Sequence, residues 1–230
     1  MNFNRIFDYT KALSLNNNRT WFHDNHKQYE EAQADFLFLI DQLRYVLMQE
    51  APALGDSIMF TPAKAFMYRI PRDMRYSKNK EPYNPAFRAY FSPDKKEFLP
   101  FGYFVYISAE RCSIGTGAYP WEAKQLNTLR EYIACNYEEL DAIVAENGLD
   151  VYGKELKRCP RGYDENHPAG EWLKYKRFLV NYRFSGDELK DFDSFTDAAA
   201  EAVRRFEPLR KFLNDAFTGP TDDIDEFDIY

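Results

Sequence analysis

The apolar pattern of this chain changes period along its length, and that change limits its fold more than any other feature. From Asp24 to Glu50, Tyr29, Ala32, Phe36, Leu39, Leu43 and Leu47 recur at intervals of three and four, which places them on one face of a long helix. Asp24 stands where an N-cap would, and Ala51-Pro52 stops the run. A shorter helix is expected over residues 5–14, separated by the turn-formers of "NNNRTWF". The middle of the chain reads differently. "AFMYRI" (65–70), "AFRAYF" (86–91), "FGYFVYIS" (101–108) and "RCSIGTG" (111–117) have strand character. The third is apolar at nearly every position, as a central strand covered on both faces would be. Short gaps make these strands antiparallel neighbours, with "SAE" as a hairpin turn.

Helical spacing returns after Pro120 with Leu126, Leu129 and Ile133, and again from Asn136, with Glu139 three residues on, to Gly148. "KRCPRGYDENHPAG" (157–170) is rich in breakers and reads as loop. "RFLVNYRF" (177–184) alternates with period two. A last helix over Asp193–Ala216 carries Ala199, Val203, Phe206 and Leu213 on one face, with a kink or restart expected at Pro208. Runs of strands and runs of helices, without regular alternation, point to an α+β fold: a mainly antiparallel sheet of about five strands packed with helices. Residues 1–218 are read as a single α+β domain and 219–230 as an acidic tail.

Charge is distributed in blocks. The formal net charge is -7, yet residues 69–80 gather Arg69, Arg72, Arg75, Lys78 and Lys80 against Asp73 alone. A second basic stretch, residues 151–183, lies between acidic ones. Two such stretches meeting in space would focus a local field that attracts a small anion. An acidic remainder argues against duplex nucleic acid, whose backbone it would repel. The longest aliphatic and aromatic run of the first long helix, "FLFLI", is far below the roughly 20 residues a membrane span needs. The N-terminus lacks the apolar core of a secretory signal, and three widely spaced cysteines without C-x-x-C fit reduced thiols, so a cytoplasmic protein is expected.

The candidate site follows from side-chain direction. Arg69, Arg88 and Arg183 alternate with Phe66, Phe87 and Phe178 on the expected strands, so the three arginines are placed to share one sheet face. The loop "RDMRYSKNKEPYN" adds Arg72 and Arg75, whose planar forks match carboxylate or phosphate oxygens, and the point charges of Lys78 and Lys80. Tyr76, Ser77 and Tyr83 contribute hydroxyls, Asp73 orients the guanidinium groups beside it, and Arg161 and Lys174 are partners from the second basic stretch. This is chemistry for holding a phosphate- or carboxylate-bearing ligand; whether the chain also transforms it, and with what cofactor, the residues leave open. The alternative is a non-enzymatic interaction module in which these cations form ion pairs. A third reading, single-stranded nucleic acid, rests on aromatic residues interleaved with cations.

"YRIPRDMRYSKNKEPYN" closely resembles the hallmark of domain-of-unknown-function family 2461, with the pattern R-x-x-R-D-x-R-[FY]-S-K-[DN]-K-x-P-Y. "NNNRTWFHDNHKQYEEA", "GTGAYPWEAKQLNTLR" and "LKRCPRGYDENHPAGEWLKYKRF" are similar to other parts of it, and the resemblance covers about residues 3–217. Asn84 stands where a basic residue often follows in that pattern. The resemblance implies a bacterial-type cytoplasmic protein of one domain and no established reaction, substrate or cofactor.

Other signals are weaker. His23, His26 and Glu30 have partial metal-ligand spacing but no fourth ligand, and no metal is expected. The glycines of "GTGAYP" ease a strand end or a close approach better than they cradle a phosphate. Cys159 lies in a cationic loop, with ordinary thiol behaviour expected.

Overall fold

The computed structural model describes residues 2–73, 75, 78–93, 97, 99–120 and 122–218. Among these residues are nine helices and five strands, and the strands form an antiparallel sheet of order β1-β2-β3-β5-β4. The fold is α+β, as the periodicities imply. The chain forms two compact units, residues 1–116 with 180–207 and residues 117–179 with 208–230.

The first unit holds the helices α1 (Phe3–Leu15), α2 (Arg19–Asp24), α3 (His26–Glu50), α4 (Pro52–Ile58) and α5 (Ala63–Phe66). It also holds β1 (Ala86–Phe91), β2 (Tyr103–Ser108) and most of β3 (Arg111–Ala118). The apolar stripe of α3 is buried at Ala32, Phe36, Leu39, Ile40, Leu43 and Leu47. It packs with α1 on one face of β1 and β2, where Phe87 meets Phe36 at 5.3 Å and Tyr9 at 6.2 Å between ring centroids. Period-two burial on the strands completes this core with Phe91, Tyr103, Val105, Ile107 and Ile114.

Several boundaries differ from the sequence reading. Asp24 ends α2 instead of capping α3, because Asn18 caps α2 through Trp21 N and Asn25 interrupts the helix. Residues 65–70 are not a strand. Ala63–Phe66 is a helical turn, and the following residues run extended along β1, with Met67 bridging Ala89 and Tyr68 N donating to Arg88 O at 2.8 Å. They cover the edge of β1, a position that demands extended backbone without a full ladder. The run "FGYFVYIS" does form a central strand, but only one of its faces is fully covered. Phe104 is 38% exposed and Tyr106 half-buried, while Tyr103, Val105 and Ile107 are buried.

The second unit holds α6 (Ala123–Cys135), α7 (Tyr137–Glu146), β4 (Tyr152–Lys154) and α8 (Gly170–Leu173), with the start of β5 (Tyr175–Arg183) and the end of α9 (Phe192–Thr218). Glu122, not Pro120, precedes the first helix, its N–H donating to Gln125 Oε1. Leu129, Ile133, Leu140, Leu173 and Phe178 are buried. Arg130, also buried, donates to the carbonyl oxygens of Leu173 and Tyr175 and so satisfies two main-chain acceptors with one guanidinium. Pro208 lies inside α9, which continues through it, so the expected restart does not occur. The acidic tail, 219–230, lies outside the described residues.

Candidate functional site

The basic motif is held at both ends. Arg72 N donates to Pro82 O at 2.9 Å, Asn84 N donates to Ile70 O at 2.8 Å, and Pro71 bridges Tyr83, so residues 70–72 and 82–84 pair as the base of a hairpin-like loop. Asn17, in the turn between α1 and α2, fixes that base. Its Nδ2 donates to Tyr83 O at 2.9 Å and its Oδ1 accepts from Tyr83 N at 3.0 Å. A primary amide makes this two-point contact with the N–H and C=O of one residue because it carries a donor and an acceptor side by side.

Arg72 and Arg88 form the centre of the site. Arg88, on β1, is half-buried, and loss of water around its guanidinium lowers its pKa, an effect to which the nearby Arg72 charge adds. Its guanidinium carbon lies 5.4 Å from the Tyr68 ring centroid, and its NH2 donates weakly to Arg69 O at 3.5 Å. Tyr68 is itself pushed to a higher pKa by burial, partly offset by Arg88. The Nε of Arg88 and the Nε of Arg72 are both buried, with no hydrogen-bond partner among the described residues. Arg72 reaches a carboxylate only at the 4.0 Å limit, Glu81 Oε2, and no carboxylate of the described residues lies within ion-pair reach of Arg88.

The remaining motif cations are differently placed. Arg75 is bound by Asp73 through three side-chain hydrogen bonds, the shortest 2.6 Å, which lowers the Asp73 pKa and occupies the fork. Both are exposed. Arg69, Lys78 and Lys80 are exposed. Tyr76 and Ser77 lie outside the described residues. Tyr83 turns away from the arginines and stacks on Phe22 with centroids 4.1 Å apart. Pairing across the base explains this: Arg72 lies opposite Pro82, so neighbouring Tyr83 projects to the other side.

Arg183, at the end of β5, donates from NH2 to Glu110 O at 2.5 Å and lines a shallow recess of about 240 Å³ with Arg111, Cys112 and Phe184. Arg161 and Lys174 belong to the second unit. There Arg161 is exposed, and Lys174 pairs with Glu171, whose other oxygen takes Lys154.

Sequence reasoning missed four residues beside Arg88. Tyr106 lies directly across from it in the β1–β2 register, and Arg111 stacks on the Tyr106 ring at 4.4 Å. Tyr68 and Phe104 adjoin them, with centroids 6.3 Å apart. The signal was present in "YFVYIS", where Phe104 and Tyr106 alternate with Val105 and Ile107, but an all-apolar run conceals which face is open. The weaker signals take their own places. His23 approaches Asp24 and His26 approaches Glu30, each as an exposed pair. Among the described residues no three His, Cys, Asp or Glu side chains gather as a metal-binding group. Gly115 and Gly117 meet the backbone of β5, where a Cβ would lie 2.5 Å from Val180 O and 1.9 Å from Phe178 O, respectively. Burial pushes the Cys112 thiol up, away from nucleophile chemistry.

With this geometry, residues 5–212 match the family described as conserved hypothetical protein (DUF2461). The chain belongs to this family. The match spans the basic loop, the Asn17 clamp and the strands β1 to β3, so the parts of the candidate site lie within the DUF2461 region. No curated protein and no solved structure matches the chain. Among the described residues no helix is long and apolar enough to cross a membrane.

Proposed function

We propose that the protein binds a small anion bearing phosphate or carboxylate oxygens at Arg72 and Arg88. The observation that carries this reading is the pair of buried Nε–H groups without acceptors. A buried donor left unmatched costs about 1–3 kcal/mol, and more when it is charged. The Arg72 charge adds to the cost of keeping Arg88 charged, and an anion held by both groups offsets that cost. Arg69, Lys78 and Lys80, exposed charges of the same basic motif, add to the field that steers the ligand. Arg75 leaves the ligand set because Asp73 already fills its fork.

The reading is tested by thermal denaturation in inorganic phosphate, sulfate and a dicarboxylate at millimolar concentration. A bound ligand raises Tm by mass action, about 2.7 kcal/mol of added stability at one hundred times Kd. Arg88→Met is the matching variant. It is expected to abolish the phosphate response without lowering the ligand-free Tm, since it removes a desolvated charge and keeps the apolar stem. A wild-type protein indifferent to all three anions overturns the proposal. The interaction-module reading has support at Arg75 and Lys174, whose ion pairs are complete.

A further inference from the structure

We infer that the ligand of this site is a free nucleoside phosphate whose base stacks on Phe104. The inference rests on the anion-binding reading above and adds the class of molecule. In the β1–β2 register Arg88 faces Tyr106 and Tyr90 faces Phe104, so Arg88 and Phe104 are diagonal neighbours on one sheet face. Such positions are about 7–8 Å apart, a separation that suits one ligand carrying an anion and a ring side by side.

The face is arranged for both parts. Phe104 is a large apolar ring, 38% exposed on a central strand where its neighbours Val105 and Tyr103 are fully buried. Opposite it on β3 is Gly115, which offers no side chain to cover the ring. The amide of Asn181, close beside Gly115, makes no hydrogen bond to a described residue and is available to a base edge. Toward the anion end, Tyr68 bridges the ring to Arg88, and Arg111 over Tyr106 supplies a further cation. Neither Arg88 nor Arg111 has a carboxylate of the described residues within ion-pair reach. Aromatic platforms beside stacked arginines bind bases through their π-faces with little regard to base identity. A single strand would need the same groups, but the net charge of -7 repels a long polyanion, so the favoured occupant is one nucleotide.

Isothermal titration of the full chain with inorganic phosphate, ribose 5-phosphate, adenosine monophosphate and uridine monophosphate separates the possibilities. Both nucleotides should bind about tenfold more tightly than phosphate or ribose 5-phosphate. Phe104→Leu, which keeps apolar bulk, should bring them down to the phosphate level and leave phosphate binding unchanged. Phe104→Tyr should retain the preference. Equal affinity for phosphate and nucleotides overturns the stacking inference while the anion site stands. Failure of all four to bind overturns both. A six-residue single strand binding more tightly than the mononucleotides also overturns it, since the occupant is then a polymer.

Discussion

At the scale of single residues, the arginines of the basic motif separate by whether their charge is answered. Arg75 has its counter-ion two residues away and lies in solvent, where screening leaves such a pair little weight in stability. Arg72 and Arg88 have lost water without gaining a full partner. The spacing of "RIPRDMRYSKNK" cannot distinguish these cases, because desolvation is set by what lies over the side chain. Glu171 gives the clearest pH dependence. Lys154 and Lys174 together hold its carboxyl at about 2, below the ordinary glutamate value of 4.5. A folded-state value below the unfolded one means stabilisation that is complete above pH 4.5 and is lost as pH falls through 4.5 toward 2. Glu171→Gln should therefore flatten the acid limb of a Tm-against-pH curve between those values, by a small, salt-sensitive amount because the carboxylate is exposed. An unchanged acid limb in the variant would show that other carboxylates control it.

At the scale of elements, the sheet is defined by how closely β3 approaches β5. Gly117 has φ +134°, and a Cβ there would sit 1.9 Å from Phe178 O, so both conformation and space require glycine. Gly117→Ala is expected to cost about 3 kcal/mol, read as a lower urea midpoint at unchanged slope. Gly186→Ala, where an added methyl meets open space, should stay within about 0.5 kcal/mol. The "GTG" reading as close packing anticipates this, whereas the segment 65–70 shows the limit of local pattern. "AFMYRI" has strand-like residues, but its first two residues end a helical turn and, among the described residues, the rest make an isolated bridge at Met67 in place of a ladder. Whether an extended segment becomes a strand depends on the length of edge available to it.

At the scale of the whole molecule, neither compact unit is continuous in sequence. The chain passes between them after residues 116, 179 and 207. In the second unit, Phe212 from the end of α9 packs on Tyr132 of α6 with centroids 5.1 Å apart. A fragment comprising residues 117–179 lacks that helix, so it should show no cooperative thermal transition, whereas the full chain does. A sharp two-state melt of the fragment would show that β4, α6, α7 and α8 suffice for a core.

The division between sequence and tertiary structure follows from the range of the forces involved. Periodicity alone determined the long helix α3, the antiparallel β2–β3 hairpin, the last helix and the α+β class, because burial on one face imposes a local repeat of 3.6 or 2. The basic loop was equally legible as a concentration of charge. Only tertiary structure decided that Asn17 clamps Tyr83, that Phe104 keeps an open face, and that Arg72, sixteen positions from Arg88, comes near enough for its charge to act on it while Tyr83 points elsewhere. Those outcomes depend on solvent exclusion and backbone direction set by residues far away in the chain, which no local pattern encodes.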